Sequence, residues 1–386
     1  MLRLKRDRFL LFSFFGLFTF SAFGSGFFST YFGFSTGKFY IFCLILSLFY
    51  FFKEVDYKYN DKIVILSLSF PLIVLMLISI NVGGAENIIY SQSVYFYIIA
   101  FTVLFISSRW DLFYKIGIFV IYLNFPILIY EIYTGSYIVN SSADFGPEYG
   151  RVKGIFEYSK MLGYFCIILG LLCYRRMSIF TLSLVLFSAI LSGSRLAIIP
   201  ILIVFVVKLI SSLCTSSNIK IKLFSIISIV VSFLFLFVYL NYNSGSEIIL
   251  SRLSNAFSMT SSSNSDRIFY WLQHLNVLNE RGLLEILFGM PGNAYLLVGN
   301  GSESTYIHLL LEGGVVSLLI YLLGFTSLIW CLFLKDSVIH EWTSFLGVIL
   351  LICCFQISRL GLSVIDGTYF WAFVFYCYFS RREDVR

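Results

Sequence analysis

The feature that most constrains this chain is a series of apolar runs near twenty residues long, recurring along its whole length. As a helix rising about 1.5 Å per residue, such a run crosses a hydrocarbon layer of roughly 30 Å. Lipid offers the backbone no partner, so only helices or closed barrels span it. The runs here are continuous rather than alternating, which excludes a barrel. Of the 386 residues, 59% are hydrophobic and 12% charged, at a mean hydropathy of +0.89. A soluble domain with that balance would have an apolar surface. The expectation is an all-α, polytopic membrane protein, one integral membrane domain over residues 1–386. About twelve spans are expected, at 9–29, 38–53, 62–81, 92–108, 113–133, 159–174, 178–193, 196–212, 223–241, 305–331, 343–358 and 366–380. The first run follows Arg3, Lys5, Arg6 and Arg8 and shows no small-residue cleavage site, so it reads as a retained span.

Orientation follows from Lys and Arg. With the N-terminus inside, eighteen of the 27 basic residues fall on inside segments and nine outside, and every inside connection carries at least one. Both termini are therefore expected in the cytoplasm. The net charge of +6 concerns topology and anionic lipid, not nucleic acid. Two long loops, 134–158 and 242–304, then face outward. Inside the second, Asp266–Arg281 reads as an amphipathic helix capped by Ser265, with Ile268, Trp271, Leu272, Leu275 and Leu278 on one face. Tyr270 and Trp271 suit a headgroup layer. None of the eight cysteines lies in either long loop, and His274, His308 and His340 show no ligand spacing with them. No disulfide framework, metal or cofactor is expected.

Three constellations carry the chemistry. Arg151-Val-Lys153-Gly154-Ile-Phe-Glu157-Tyr-Ser-Lys160 gathers cations and a carboxylate at the mouth of span six, suited to a lipid phosphate or to ordinary headgroup contact. Ser192-Gly193-Ser194-Arg195 is a tight outer turn whose arginine stands at a helix N-terminus, where free N–H groups favour anions. A planar guanidinium fork suits phosphate oxygens better than an ammonium. Third is Glu303-Ser-Thr-Tyr-Ile-His308, where the second loop re-enters the membrane, followed by Gly313-Gly314 as a point of close helix packing. In one helix Glu303 and His308 stand about 140° apart, so a shared site requires Glu303 to precede the helix. Arg267 opens the amphipathic helix with Arg252 before it, and Arg359 and Asp366 flank the last outer turn. All these residues are assigned to the outer side. A cationic chamber with one carboxylate and one imidazole suits a lipid-linked diphosphate, with arginines stabilising the leaving group and Glu303 or His308 deprotonating a sugar hydroxyl.

The plan of about twelve spans with two large outer loops resembles the Wzy-type O-antigen polymerases and the related O-antigen ligases. Locally the resemblance rests on Arg151…Gly154-Ile-Phe, on Ser192-Gly-Ser-Arg195, on Arg267 followed by Trp271, and on Glu303 through Gly313, in that order. Where the family carries an Asn-Pro-Asn-like element, this chain has Glu157-Tyr-Ser. The resemblance implies a metal-independent glycosyltransferase of the GT-C type, with arginines on the pyrophosphate of an undecaprenyl-linked glycan. The expected activity is polymerisation of undecaprenyl-diphosphate-linked oligosaccharide units at the periplasmic face of a bacterial inner membrane. Arg195 and Arg267 are assigned to the diphosphate, Arg151 and Lys153 to the second lipid-linked substrate, and Glu303 or His308 is the base. A polysaccharide chain-length regulator is a candidate partner. The alternatives are a ligase moving glycan onto lipid A–core, for which His308 speaks, and a flippase or transporter. The near absence of charge from the middle of the spans speaks against the transporter.

Overall fold

The structure, a computed structural model, describes residues 30–31, 110–139, 151–156, 158–174, 176–215, 227, 262–289, 302, 304–334 and 342–357. Among them every regular element is an α-helix. In chain order these are α1 (Trp110–Thr134), α2 (Ser159–Cys173), α3 (Ile179–Leu191) and α4 (Arg195–Thr215). Then come α5 (Ser262–Asn279), α6 (Leu283–Phe288), α7 (Thr305–Leu334) and α8 (Trp342–Ile357). Helices thus stand where spans were expected at 113–133, 159–174, 178–193, 196–212, 305–331 and 343–358. The other six expected spans fall outside the described residues, Ile227 excepted.

Among the described residues three stretches are long and apolar enough to cross a membrane: Tyr114–Thr134, Leu196–Cys214 and Thr305–Leu323. The apolar helices α2 and α3 have 15 and 13 residues and so reach only about 20 Å. The described residues divide into two compact units. One holds α1 from Asp111, α2 to α4, and α8 as far as Leu351; the other holds α5 to α7 and α8 from Ile352.

In the first unit, α2, α3 and α4 each pack on the other two. α3 is buried almost throughout, which is why so short an apolar helix persists. The Ser178 hydroxyl caps it, accepting from the Thr181 N–H at 3.1 Å. Lys208 on α4 donates to the Tyr174 carbonyl at the end of α2 (2.9 Å), meeting the negative end of that helix. α8 crosses α2 so closely that a Cβ on Gly347 would lie 2.7 Å from the Leu171 oxygen. Phe119, Leu123 and Ile129 on α1, and Leu202, Val206 and Ile210 on α4, remain exposed, as lipid-facing stripes require.

In the second unit α7 is broken. Gly314 has φ +68° and ψ −172°, so two helices meet there at a kink. The expected close packing at Gly313-Gly314 takes the form of α6 docking on that break. A Cβ on Gly314 would fall 2.3 Å from the Leu287 oxygen, and one on Gly289 2.5 Å from the Glu312 oxygen. α5 packs on α7 through Trp271 and Leu278 against Ile307 and Leu311.

Three expectations need correction. The helix read as Asp266–Arg281 with Ser265 as its cap runs Ser262–Asn279, so Ser265 lies within it. The serine-rich stretch before Asp266 offers several equivalent capping residues, and local pattern does not choose among them. The face assigned to this helix also splits. Trp271 and Leu278 pack on α7, while Ile268, Leu272 and Leu275 are exposed. Trp271 is therefore turned onto the protein, not placed for a headgroup layer. Finally, the end of the first outer loop, expected at a lipid phosphate or headgroup, is buried at Val152, Lys153, Ile155 and Phe156.

Candidate functional site

The basic stretch of the first unit is built on two polar side chains of α1. Asn124 and Glu131 stand seven residues apart, two helical turns, and so project from one face; both are fully buried. One carboxylate oxygen of Glu131 accepts the N–H groups of Lys153 (3.0 Å) and Gly154 (2.9 Å). The other accepts that of Ile138 (3.2 Å). The Asn124 side-chain oxygen accepts the Ile155 N–H at 2.8 Å. This staple explains the glycine: Gly154 has φ +61°, and a Cβ there would lie 1.9 Å from the Asn124 oxygen.

Within the staple, Lys153 is wholly buried. Its ammonium lies over the Tyr137 ring, 4.3 Å from the centroid, with the Glu131 charge acting on it. The Tyr137 hydroxyl in turn donates to the Arg151 carbonyl at 2.7 Å. Arg151 is half-buried. The carboxylate expected beside these cations, Glu157, lies outside the described residues, and Glu131 stands in that role.

The Arg195 turn adjoins this stretch. The Val152 N–H donates to the Leu191 carbonyl at 3.0 Å, tying the strip that follows Arg151 to the end of α3. The chain then turns through Gly193 at φ +63°, and the Ser194 carbonyl accepts the first N–H groups of α4 from Ala197 and Ile198. Gly163 on α2 makes room for the turn, since a Cβ there would lie 2.6 Å from that of Ser194. Arg195 is the first residue of α4, at the positive end of the helix. The first unit therefore brings the backbone of Arg151, Lys153 and Arg195 into one junction.

The second unit holds Arg267 and His308, while Glu303 and Arg252, and the pair Arg359 and Asp366, lie outside the described residues. Arg267 is half-buried and shares with Trp271, His274 and Leu278 the face of α5 that packs on α7. His308, the fourth residue of α7, is 4% exposed and its N–H donates to the Ser304 carbonyl at 3.0 Å. His274 is fully buried and its Nδ1 bonds the Tyr270 carbonyl.

One cation was read in the sequence only as the end of a helix. Arg281 donates through Nη1 to the Leu311 carbonyl at 2.8 Å. The helix breaks at Gly314 three residues later, so the guanidinium meets a carbonyl in the last turn before the kink. Burial pulls the Arg281 guanidinium below its ordinary value, and the carboxylates of Glu285 and Glu312 oppose that pull. Glu131 and Asn124 were visible as polar residues inside an apolar run, and Glu312 as the residue before Gly313-Gly314. A carboxylate in a spanning stretch is the signal that finds such groups. No family model, curated protein or solved structure matches this chain.

Proposed function

We propose that this chain joins undecaprenyl-diphosphate-linked oligosaccharide units into a repeat-unit polysaccharide of the O-antigen kind, at the outer face of a bacterial inner membrane. A sugar hydroxyl of the acceptor unit attacks the anomeric carbon of the growing chain. The new glycosidic bond forms as the bond from that carbon to the diphosphate breaks. The hydroxyl proton passes to Glu303 or His308, and undecaprenyl diphosphate departs with the electron pair.

The observation that carries this reading is the Val152–Leu191 hydrogen bond, which makes neighbours of the Arg151 stretch and the Arg195 turn. Two arginine positions, one at a helix N-terminus, suit the charge that develops on a departing diphosphate. The order of the motifs along the chain supports the same reading. Lys153, wholly buried, is given the task of holding this segment in place, and the substrate contacts are assigned to Arg151 and Arg195.

One observation favours a second reading. A helix broken inside an apolar stretch, beside the buried carboxylate of Glu312, is a device of transporters. That reading makes the chain a flippase for the same lipid-linked unit. Deletion separates the two on a lipopolysaccharide gel. Loss of a polymerase leaves core bearing a single repeat unit. Loss of a flippase leaves bare core with lipid-linked units stranded on the inner leaflet, and loss of a ligase leaves bare core with those units outside. A normal ladder in the deletion strain defeats all three. For the site, Arg195→Lys should shorten or abolish the ladder, since an ammonium cannot grip a diphosphate bidentately. An unchanged ladder removes Arg195 from the site.

A further inference from the structure

One end of the first unit gathers cations from three separate parts of the chain. The Tyr114 hydroxyl on α1 donates to the Arg176 carbonyl at 2.8 Å, and Lys208 on α4 donates to the Tyr174 carbonyl at 2.9 Å. Both bonds end on the turn between α2 and α3, so α1, α4 and that turn meet at one level. Lys115, next to Tyr114, and Arg176 are exposed there, and Lys208 is half-buried. Over residues 110–122, 174–181 and 205–212 the sequence has Lys115, Arg175, Arg176 and Lys208 against Asp111 alone. Cations drawn together by folding repel one another until an anion joins them.

This level is also a boundary. α1 carries no charged residue from Ile116 to Tyr130, α3 none from Ile179 to Leu191, and α4 none from Leu196 to Val207. Each cation therefore stands where an apolar stretch ends, the depth at which phosphate headgroups lie in a bilayer. Beyond the cations the surface is apolar. Lys115, Phe119, Tyr122 and Leu123 share one face of α1 by their helical spacing. Phe119 is 60% exposed, Tyr122 41% and Leu123 39%. Phe180 on α3, 41% exposed, adjoins that face, with its ring centroid 6.3 Å from that of Tyr122. The Tyr122 hydroxyl shares a hydrogen bond with Thr181 Oγ1 at 3.0 Å, which fixes the seam between the two helices. Apolar surface alone takes any lipid; cations at its end select the anionic ones.

We propose that the α1–α3 seam binds an anionic phospholipid, its phosphate at Lys115, Arg176 and Lys208 and an acyl chain along Phe119, Tyr122, Leu123 and Phe180. The site lies apart from the Arg195 turn, since Lys208 stands about 20 Å further along α4. It does not rest on the glycosyl-transfer reading.

The test titrates the full chain, in mild detergent, with phosphatidylglycerol and separately with phosphatidylcholine of the same acyl chains. Native mass spectrometry counts the bound lipid. The first phosphatidylglycerol should bind about tenfold more tightly than the first phosphatidylcholine, which is what two or more cations at a headgroup supply. The variant Lys115→Gln/Arg176→Gln should bring the two lipids to within about twofold. Both side chains are exposed and the Tyr114 bond goes to the backbone, so the helices keep their packing. Lys208 is left in place because it holds the end of α2. Lys220→Gln/Lys222→Gln removes the same charge elsewhere and should keep the preference. No preference in the unaltered chain, or a preference retained without Lys115 and Arg176, overturns the proposal. Equal loss in both double variants overturns it too, as that marks general attraction to a basic protein. Displacement of the lipid by an equal concentration of glycerol phosphate would make this a site for free phosphate, and likewise overturns it.

Discussion

Glu131 carries more of the first unit's basic stretch than any cation in it. Its carboxylate accepts three backbone N–H groups and faces the buried Lys153 ammonium. Glu131→Gln turns an amide N–H toward donors and strands a buried cation, at a cost of about 3–5 kcal/mol. Lys153→Met leaves the buried carboxylate without its cation but keeps its three backbone donors, so the loss should be smaller, about 1–3 kcal/mol. Thermal unfolding in detergent should therefore show a larger drop for Glu131→Gln than for Lys153→Met. Equal drops would remove Glu131 from its central place. Gly154→Ala should cost at least about 1–3 kcal/mol, because the left-handed backbone and the Asn124 oxygen both oppose a Cβ. Pairing it with Asn124→Ala should restore part of that loss, since the steric share disappears with the amide. Strictly additive losses in the same melts would show that contact to be irrelevant.

Among the elements, α7 has the least ordinary construction. Its first half ends at a glycine kink, its Leu311 carbonyl accepts from Arg281, and the end of α6 packs on the kink. Arg281→Met removes the guanidinium that donates to that carbonyl and takes away the cation beside Glu285 and Glu312, costing about 1–3 kcal/mol from the carbonyl alone. Hydrogen exchange over Leu283–Gly289 should then accelerate while exchange in α3 stays unchanged. Uniform acceleration would mean global destabilisation and defeat the local account. The Gly-Gly pair marked this place in the sequence, but not the shape it takes. A Gly-Gly pair reads equally as close packing of an unbroken helix or as a break. Only the docking of α6, brought from some twenty-five residues earlier, tells the two apart.

For the whole molecule, the charge distribution predicts a topology with both ends of the chain inside. A periplasm-active reporter fused after Ser136 should be active and one fused at Arg386 inactive, with cytoplasm-active reporters giving the reverse. Failure of either pair would undo the assignment of eighteen basic residues inside and nine outside. Length and continuity of apolar runs determine helices at six of the expected places, because lipid leaves an apolar backbone segment no other way to satisfy its hydrogen bonds. Arg151, Arg195, Arg267 and His308 were legible as ionisable residues at helix ends or in polar stretches. What the sequence by itself did not determine is which apolar faces meet protein and which do not. Ile268 and Trp271 belong to one hydrophobic stripe, yet Trp271 is turned onto α7 and Ile268 away from it. Hydropathy cannot separate those cases, since lipid is as apolar as a leucine core. Nor did it determine the partners of Glu131, which lie 7, 22 and 23 residues along the chain. Those hydrogen bonds exist only once α1 and the Arg151 strip are packed together, and no local period encodes a contact of that range.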